Sequence, residues 1–217
     1  MMKLNLRAGS GGALKVLCLG SHSDDIEIGC GGTILRLIEQ YPGCVFHWVV
    51  FNAVGARKDE AQLGAESFVG SKRLERSVFR EFPDTFMPFV GADVKNVFEE
   101  LKQAVSPDLI FTHNRNDAHQ DHRLISELTW NAFRDHFILE YEIPKYDGDL
   151  GQPSVFVPLE SDICRKKVRY ILDAFQSQHS KRWFDESTFL SLMRLRGMEC
   201  NAPSGYAEAF YCRKLVL

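Results

Sequence analysis

Hydrophobic and polar positions alternate between two patterns along the first half of the chain. Near-continuous apolar runs at 14–20, 44–51 and 108–112 predict short strands buried on both faces, and 77–82 predicts another. Between them the period changes. Ile34, Leu35, Leu37 and Ile38 predict a helix over 31–40 that stops at Tyr41-Pro42-Gly43, and 57–68 reads as a helix rich in Ala, Glu and Lys. Val94, Val97, Phe98, Leu101 and Val105 recur at helical spacing before Ser106-Pro107, and Leu124, Ile125, Leu128 and Trp130 open a fourth helix. Beyond Phe137 the pattern loosens: strands at 137–141 and 154–157 flank a loop over 144–153. Helices at 162–177 and 188–196 follow, and 205–212 leads into a last strand.

Strand and helix alternating in this rhythm imply right-handed crossovers. The expected fold class is α/β, a Rossmann-like doubly wound, mostly parallel sheet flanked by helices. Its 217 residues suit one domain spanning 1–217, with 1–12, ending in Ser10-Gly11-Gly12, as a flexible arm. A net charge of −3 gives no electrostatic case for a nucleic-acid partner. No apolar run approaches the roughly 20 residues of a transmembrane segment, and 14–20 carries no cleavage-like site of a secretory signal. Six cysteines are scattered without a CxxC pair, which disfavours a disulfide framework or cysteine-zinc site and favours a cytoplasmic location. His47, inside an apolar run, reads as a core histidine.

Two stretches change the picture from fold to chemistry. His22-Ser23-Asp24-Asp25-Ile26-Glu27-Ile28-Gly29 follows the first strand and precedes the first helix, the place where open α/β sheets bind ligands. A divalent metal would explain the charged groups there, since His and Asp are both good zinc ligands and a second carboxylate beside them could handle a proton. A capping box made by Asp24 and Glu27 is the plainer alternative. After the fourth strand comes His113-Asn114-Arg115-Asn116-Asp117-Ala118-His119-Gln120-Asp121-His122, with three imidazoles and two carboxylates in ten residues. Both clusters follow strands of one sheet, so they can converge on one crevice. A non-catalytic nucleotide-binding module would instead use Gly29-Cys30-Gly31-Gly32-Thr33 to cradle phosphates. Those glycines lack GxGxxG spacing, and the neighbouring aspartates repel phosphate. Arg57 is a cation at a helix start, against the dipole; it is either a solvated surface residue or one that faces the cleft.

These residues resemble the PIG-L/LmbE-like zinc deacetylases. The first family motif is matched by Ser21-His22-Ser23-Asp24-Asp25-Ile26, with serine for alanine, serine for proline and isoleucine for the acidic residue. The second, His-x-Asp-His, is matched by His119-Gln120-Asp121-His122 with Asp117 upstream. Weaker matches are Arg57 and Glu60, Ser177-Gln178, and Ala207-Glu208-Ala209-Phe210. The resemblance implies that His22, Asp25 and His122 bind Zn2+ or another divalent cation and that Asp24 is the general base. It further implies that His119, oriented by Asp121, is the acid or electrophile and that Arg57 lines the substrate cleft. The implied partner is a small-molecule N-acetyl sugar or sugar conjugate, deacetylated by metal-activated water. Another N-acyl substrate is the alternative, and a homo-oligomer is compatible with the family.

Overall fold

Adjacent residues of the first strand point to opposite faces, and both faces are buried: Val16 and Cys18 enter one apolar cluster, Leu17 and Leu19 the other. In the computed structural model, which describes residues 5–6 and 12–216, this strand is β1 (Lys15–His22). The arm expected over 1–12 falls largely outside the described residues. The chain continues through α1 (Asp25–Gln40), β2 (Val45–Asn52), α2 (Ala56–Val69), β3 (Leu74–Phe79), α3 (Gly91–Ala104), β4 (Leu109–His113), α4 (Gln120–Ala132) and β5 (Ile138–Tyr141). It ends with β6 (Val155–Leu159), α5 (Ser161–Ala174), α6 (Glu186–Glu199) and β7 (Tyr206–Tyr211). A single α/β domain results, with the sheet order β3-β2-β1-β4-β5-β7-β6. β1 to β5 are parallel, and β7 runs antiparallel to both β5 and β6.

The expected doubly wound, mostly parallel sheet is therefore present. Helices α1, α2, α5 and α6 supply one apolar layer, and α3 and α4 the other. Strand order reverses between β1 and β4, so their carboxyl ends frame the switch-point crevice. No described helix is long and apolar enough to cross a membrane.

Two boundaries differ from expectation. Helix α1 starts at Asp25 rather than 31, because its glycines are packing positions rather than a loop. A Cβ on Gly29 would stand 2.2 Å from the Tyr141 ring, one on Gly31 2.5 Å from Phe68, and one on Gly32 2.5 Å from Leu159. The same burial removes them from any phosphate-cradling role. β3 lies at Leu74–Phe79 rather than 77–82, after which an antiparallel bridge joins Glu81 to Asn52.

Candidate active site

His22 is the last residue of β1 and Asp25 the first of α1, so a two-residue turn carries them into the crevice. His113 ends β4, and His119 precedes α4 as its cap: its Nδ1 accepts the Asp121 backbone N–H at 3.3 Å. Thus the two sequence clusters, about a hundred residues apart, meet at the switch point. His22 Nδ1 lies 3.2 Å from His122 Nε2 and 3.4 Å from Asp25 Oδ2, and His122 Nε2 is 3.5 Å from Asp25 Oδ1. These three side chains are buried or nearly so.

Partners fix the orientation of this group. The His22 backbone N–H donates to Asp25 Oδ2 at 2.6 Å. Asp117 Oδ2 accepts from His122 Nδ1 at 3.0 Å, which assigns the proton to Nδ1 and leaves the Nε2 lone pair facing the centre. Asp117 is in turn 3.0 Å from Lys145 Nζ. Burial works to raise its pKa, but His122, His113 and Lys145 outweigh that and hold it well below the usual carboxylate range. His113 packs its ring on His122 at 3.9 Å, accepts the Ser21 N–H, and lies 3.2 Å from Asp25.

Asp24 faces elsewhere. Its Oδ1 accepts from Arg57 Nη2 at 2.8 Å. Arg57 is anchored on its other side by Glu60 and Ser177, at 3.2 and 3.3 Å from Nη1. Arg57 thus lies in the crevice, against Asp24, rather than on a solvated helix face. Asp121 departs from its expected part. Its carboxylate accepts from Thr85 N and Met87 N at 2.8 and 3.2 Å and sits 3.4 Å from His22 Nε2. What reaches His119 is its backbone N–H, because a helix-start residue aims its amide, not its side chain, at the cap. His47 lies within β2, 3.4 Å from Glu75, with its pKa lowered by burial.

Asp84 has no counterpart in the sequence reading. It stands 3.0 Å from His22 Nε2, brought there by the turn before the short 3-10 segment Met87–Val90. A Pro-Asp-Thr turn carries no spacing that reveals this contact.

The donors present fit a divalent cation. Two imidazole nitrogens and one carboxylate leave a coordination position open, as a catalytic rather than structural zinc site requires. The charge balance agrees. Burial works to lower the His22 pKa, yet Asp25, Asp121 and Asp84 outweigh it and hold the ring well above its ordinary value. Asp25 is pushed the other way: burial opposes, but His122, His113 and His22 keep its carboxyl well below the usual range. The carboxylates of this pocket favour positive charge among them.

Fold and crevice define a class of α/β proteins that gather imidazoles and carboxylates at the switch point of a parallel sheet. A family model described as PIG-L, GlcNAc-PI de-N-acetylase, matches residues 17–133, and the chain belongs to this deacetylase family. An Escherichia coli K12 protein described as the uncharacterized deacetylase YaiS is 28% identical over 141 residues, 59% of this chain and 74% of that protein. The N,N'-diacetylchitobiose deacetylase of Pyrococcus horikoshii shares the fold with a TM-score of 0.72 at 21% identity, over 93% of this chain and 84% of that one. So does GalB, the 4-carboxy-2-hydroxymuconate hydratase of Pseudomonas putida KT2440, with a TM-score of 0.71 at 18% identity over 94% and 98%.

Proposed function

We propose that this protein is a metal-dependent hydrolase that removes the acetyl group from an N-acetylated amino sugar, free or carried on a nucleotide or lipid. The observation that carries this reading is the approach of His22 Nδ1, His122 Nε2 and the Asp25 carboxylate to within 3.5 Å of one another at the switch point. These three would hold Zn2+ or another divalent cation. Such an ion, when bound, supplies Lewis acidity, bringing the pKa of water from about 15.7 toward about 7 and polarising a carbonyl.

An amide has a poor leaving group, so the reaction also needs a base for the water and an acid for the amine. Asp24 is the base: Arg57 engages Oδ1, which leaves Oδ2 to take the water's proton. His119 is the electrophile. Its Nδ1 accepts from Asp121 N–H, so the neutral ring carries its proton on Nε2 and offers it as a hydrogen bond to the carbonyl oxygen as that becomes negative. The proton Asp24 takes from the water is the one the departing nitrogen receives. Arg57, partly exposed beside Asp24, also offers its guanidinium to a hydroxyl-rich or anionic part of the sugar. Membership of a deacetylase family supports amide hydrolysis over the hydration named for GalB on the same fold.

Acetate release from a panel of free and nucleotide-linked N-acetyl hexosamines, with N-acyl amino acids alongside, tests the proposal. Release from a sugar by the wild type, lost in His122→Ala together with bound metal, is expected. Release from the amino acids alone would replace the sugar by another amide. Metal-loaded protein that frees no acetate from any of them would overturn the reading.

A further inference from the structure

His22 presents its two ring nitrogens to two different groups. Nδ1 faces Asp25 and His122, as described; Nε2 faces the mouth of the crevice. There Asp84 Oδ1 is 3.0 Å away and Asp121 Oδ2 3.4 Å, and a ring nitrogen of His119 completes a set whose donor atoms all lie within 4.8 Å of one another. The buried Nε2 nonetheless makes a hydrogen bond with neither carboxylate. Asp121 is fully buried and has one backbone N–H on each oxygen, which leaves further acceptor capacity. Asp84 is held in place from below: Thr85 N binds Asp121, and Thr85 O accepts from Gln120 Nε2 at 2.9 Å. Thr85 itself adopts φ 63°, a left-handed conformation seldom taken by a β-branched residue.

We infer that Asp84, Asp121 and His119 form a second, outer divalent-cation site, distinct from the inner donors and reached from solvent through the exposed Asp84. It rests on the reading that the inner group holds the activating ion, which commits His22 through Nδ1 and leaves these three as the free donors. One imidazole and two carboxylates suit Zn2+ or Co2+ better than Mg2+ or Ca2+, which prefer all-oxygen cages. Occupation has a consequence for turnover. An outer ion binds the His119 ring and so withholds it from the reacting carbonyl oxygen, making excess metal an inhibitor. The solvent-facing ligand makes this ion the weaker and more exchangeable of the two.

Titration of the metal-free protein with Zn2+, followed by calorimetry and by competition with a chelating indicator, resolves the two classes. Wild-type protein is expected to bind one ion tightly and one weakly. Asp84→Asn should weaken the second class by tenfold or more and leave the first unchanged, whereas His122→Ala should lose the first and keep the second. Inhibition by excess Zn2+ should fade in Asp84→Asn as the weak class does. The side chain of Asp84 is 64% exposed, so its replacement is compatible with the fold, which an unchanged unfolding midpoint verifies. A single tight class in the wild type, or a weak class indifferent to Asp84→Asn, overturns the outer site. A single weak class that Asp84→Asn removes would instead sink the inner-site reading and retain this one.

Discussion

Asp24 and Asp25 are consecutive, yet their carboxylates have different partners. Asp25 sits among His22, His113 and His122, while Asp24 pairs with Arg57. Their replacements should therefore fail differently. Asp24→Asn keeps shape and the Arg57 contact but cannot take a proton at neutral pH. It should lose about 10²–10⁴-fold in kcat, the usual contribution of general-base assistance, with metal content preserved. Asp25→Asn replaces an anionic donor by a neutral one and should shed the metal itself. Elemental analysis beside kinetics separates the two; an Asp24→Asn variant that sheds metal as readily would void the division of roles. At this scale the dense motifs were legible because their residues are local in sequence: His22 and Asp25 flank one turn, His119 and His122 one helix start. Asp84 was not, because only the folding of the 83–87 turn onto Asp121 brings it to His22. Nor was the detail that His122 leans on Asp117, since a carboxylate five residues away in a loop can point anywhere.

Helix α1 shows how an element can hide from local propensity. Three glycines in four positions, 29, 31 and 32, read as a loop, yet close approach by Tyr141, Phe68 and Leu159 makes them necessary within the helix. The other cause lies 175 residues away. Glu208 of β7 accepts from Gly32 N and Thr33 N at 2.8 and 2.6 Å, and from Lys167 Nζ of α5 at 2.5 Å. Lys167 also donates to Ile28 O at 2.6 Å. This buried pair therefore engages the donor and acceptor that face each other across one turn of α1, and ties the helix that begins with Asp25 to the C-terminal strand. Strand periodicity around Glu208 shows only that a charge lies inside; it cannot show what the charge meets. Glu208→Ala leaves the Lys167 ammonium buried without its counter-ion, so a loss of about 3–5 kcal/mol is expected from urea unfolding. Combining Glu208→Leu with Lys167→Met removes both charges and should recover part of that loss. A cost below about 1 kcal/mol for Glu208→Ala would show that Lys167 does not depend on this carboxylate.

Across the whole molecule, the parallel half of the sheet was readable from periodicity alone, whereas the antiparallel edge was not. β6 and β7 are separated by two helices, and their pairing depends on where the chain returns. The crevice at the switch point also sets how stability responds to pH, through Glu27 behind it. Glu27 is fully buried with no hydrogen bond to either side-chain oxygen. Burial, and then the neighbouring Asp24 and Asp25 charges, push its pKa well above the ordinary value against the pull of Arg57. A carboxyl whose folded pKa exceeds its unfolded one binds its proton more tightly in the native state. Its contribution is complete below the unfolded value of about 4.3 and is lost as pH rises through the folded pKa. Asp25 and Asp117 act with the opposite sign, losing their contribution as pH falls through their depressed values, and they are common to wild type and variant. Glu27→Gln has nearly the same shape and cannot ionise. In metal-free protein, it is expected to gain stability over wild type as pH climbs from about 5 to about 8, as judged by urea midpoints. If the two proteins keep a constant difference across that range, Glu27 enters the folded state already charged and its burial is compensated by a cation.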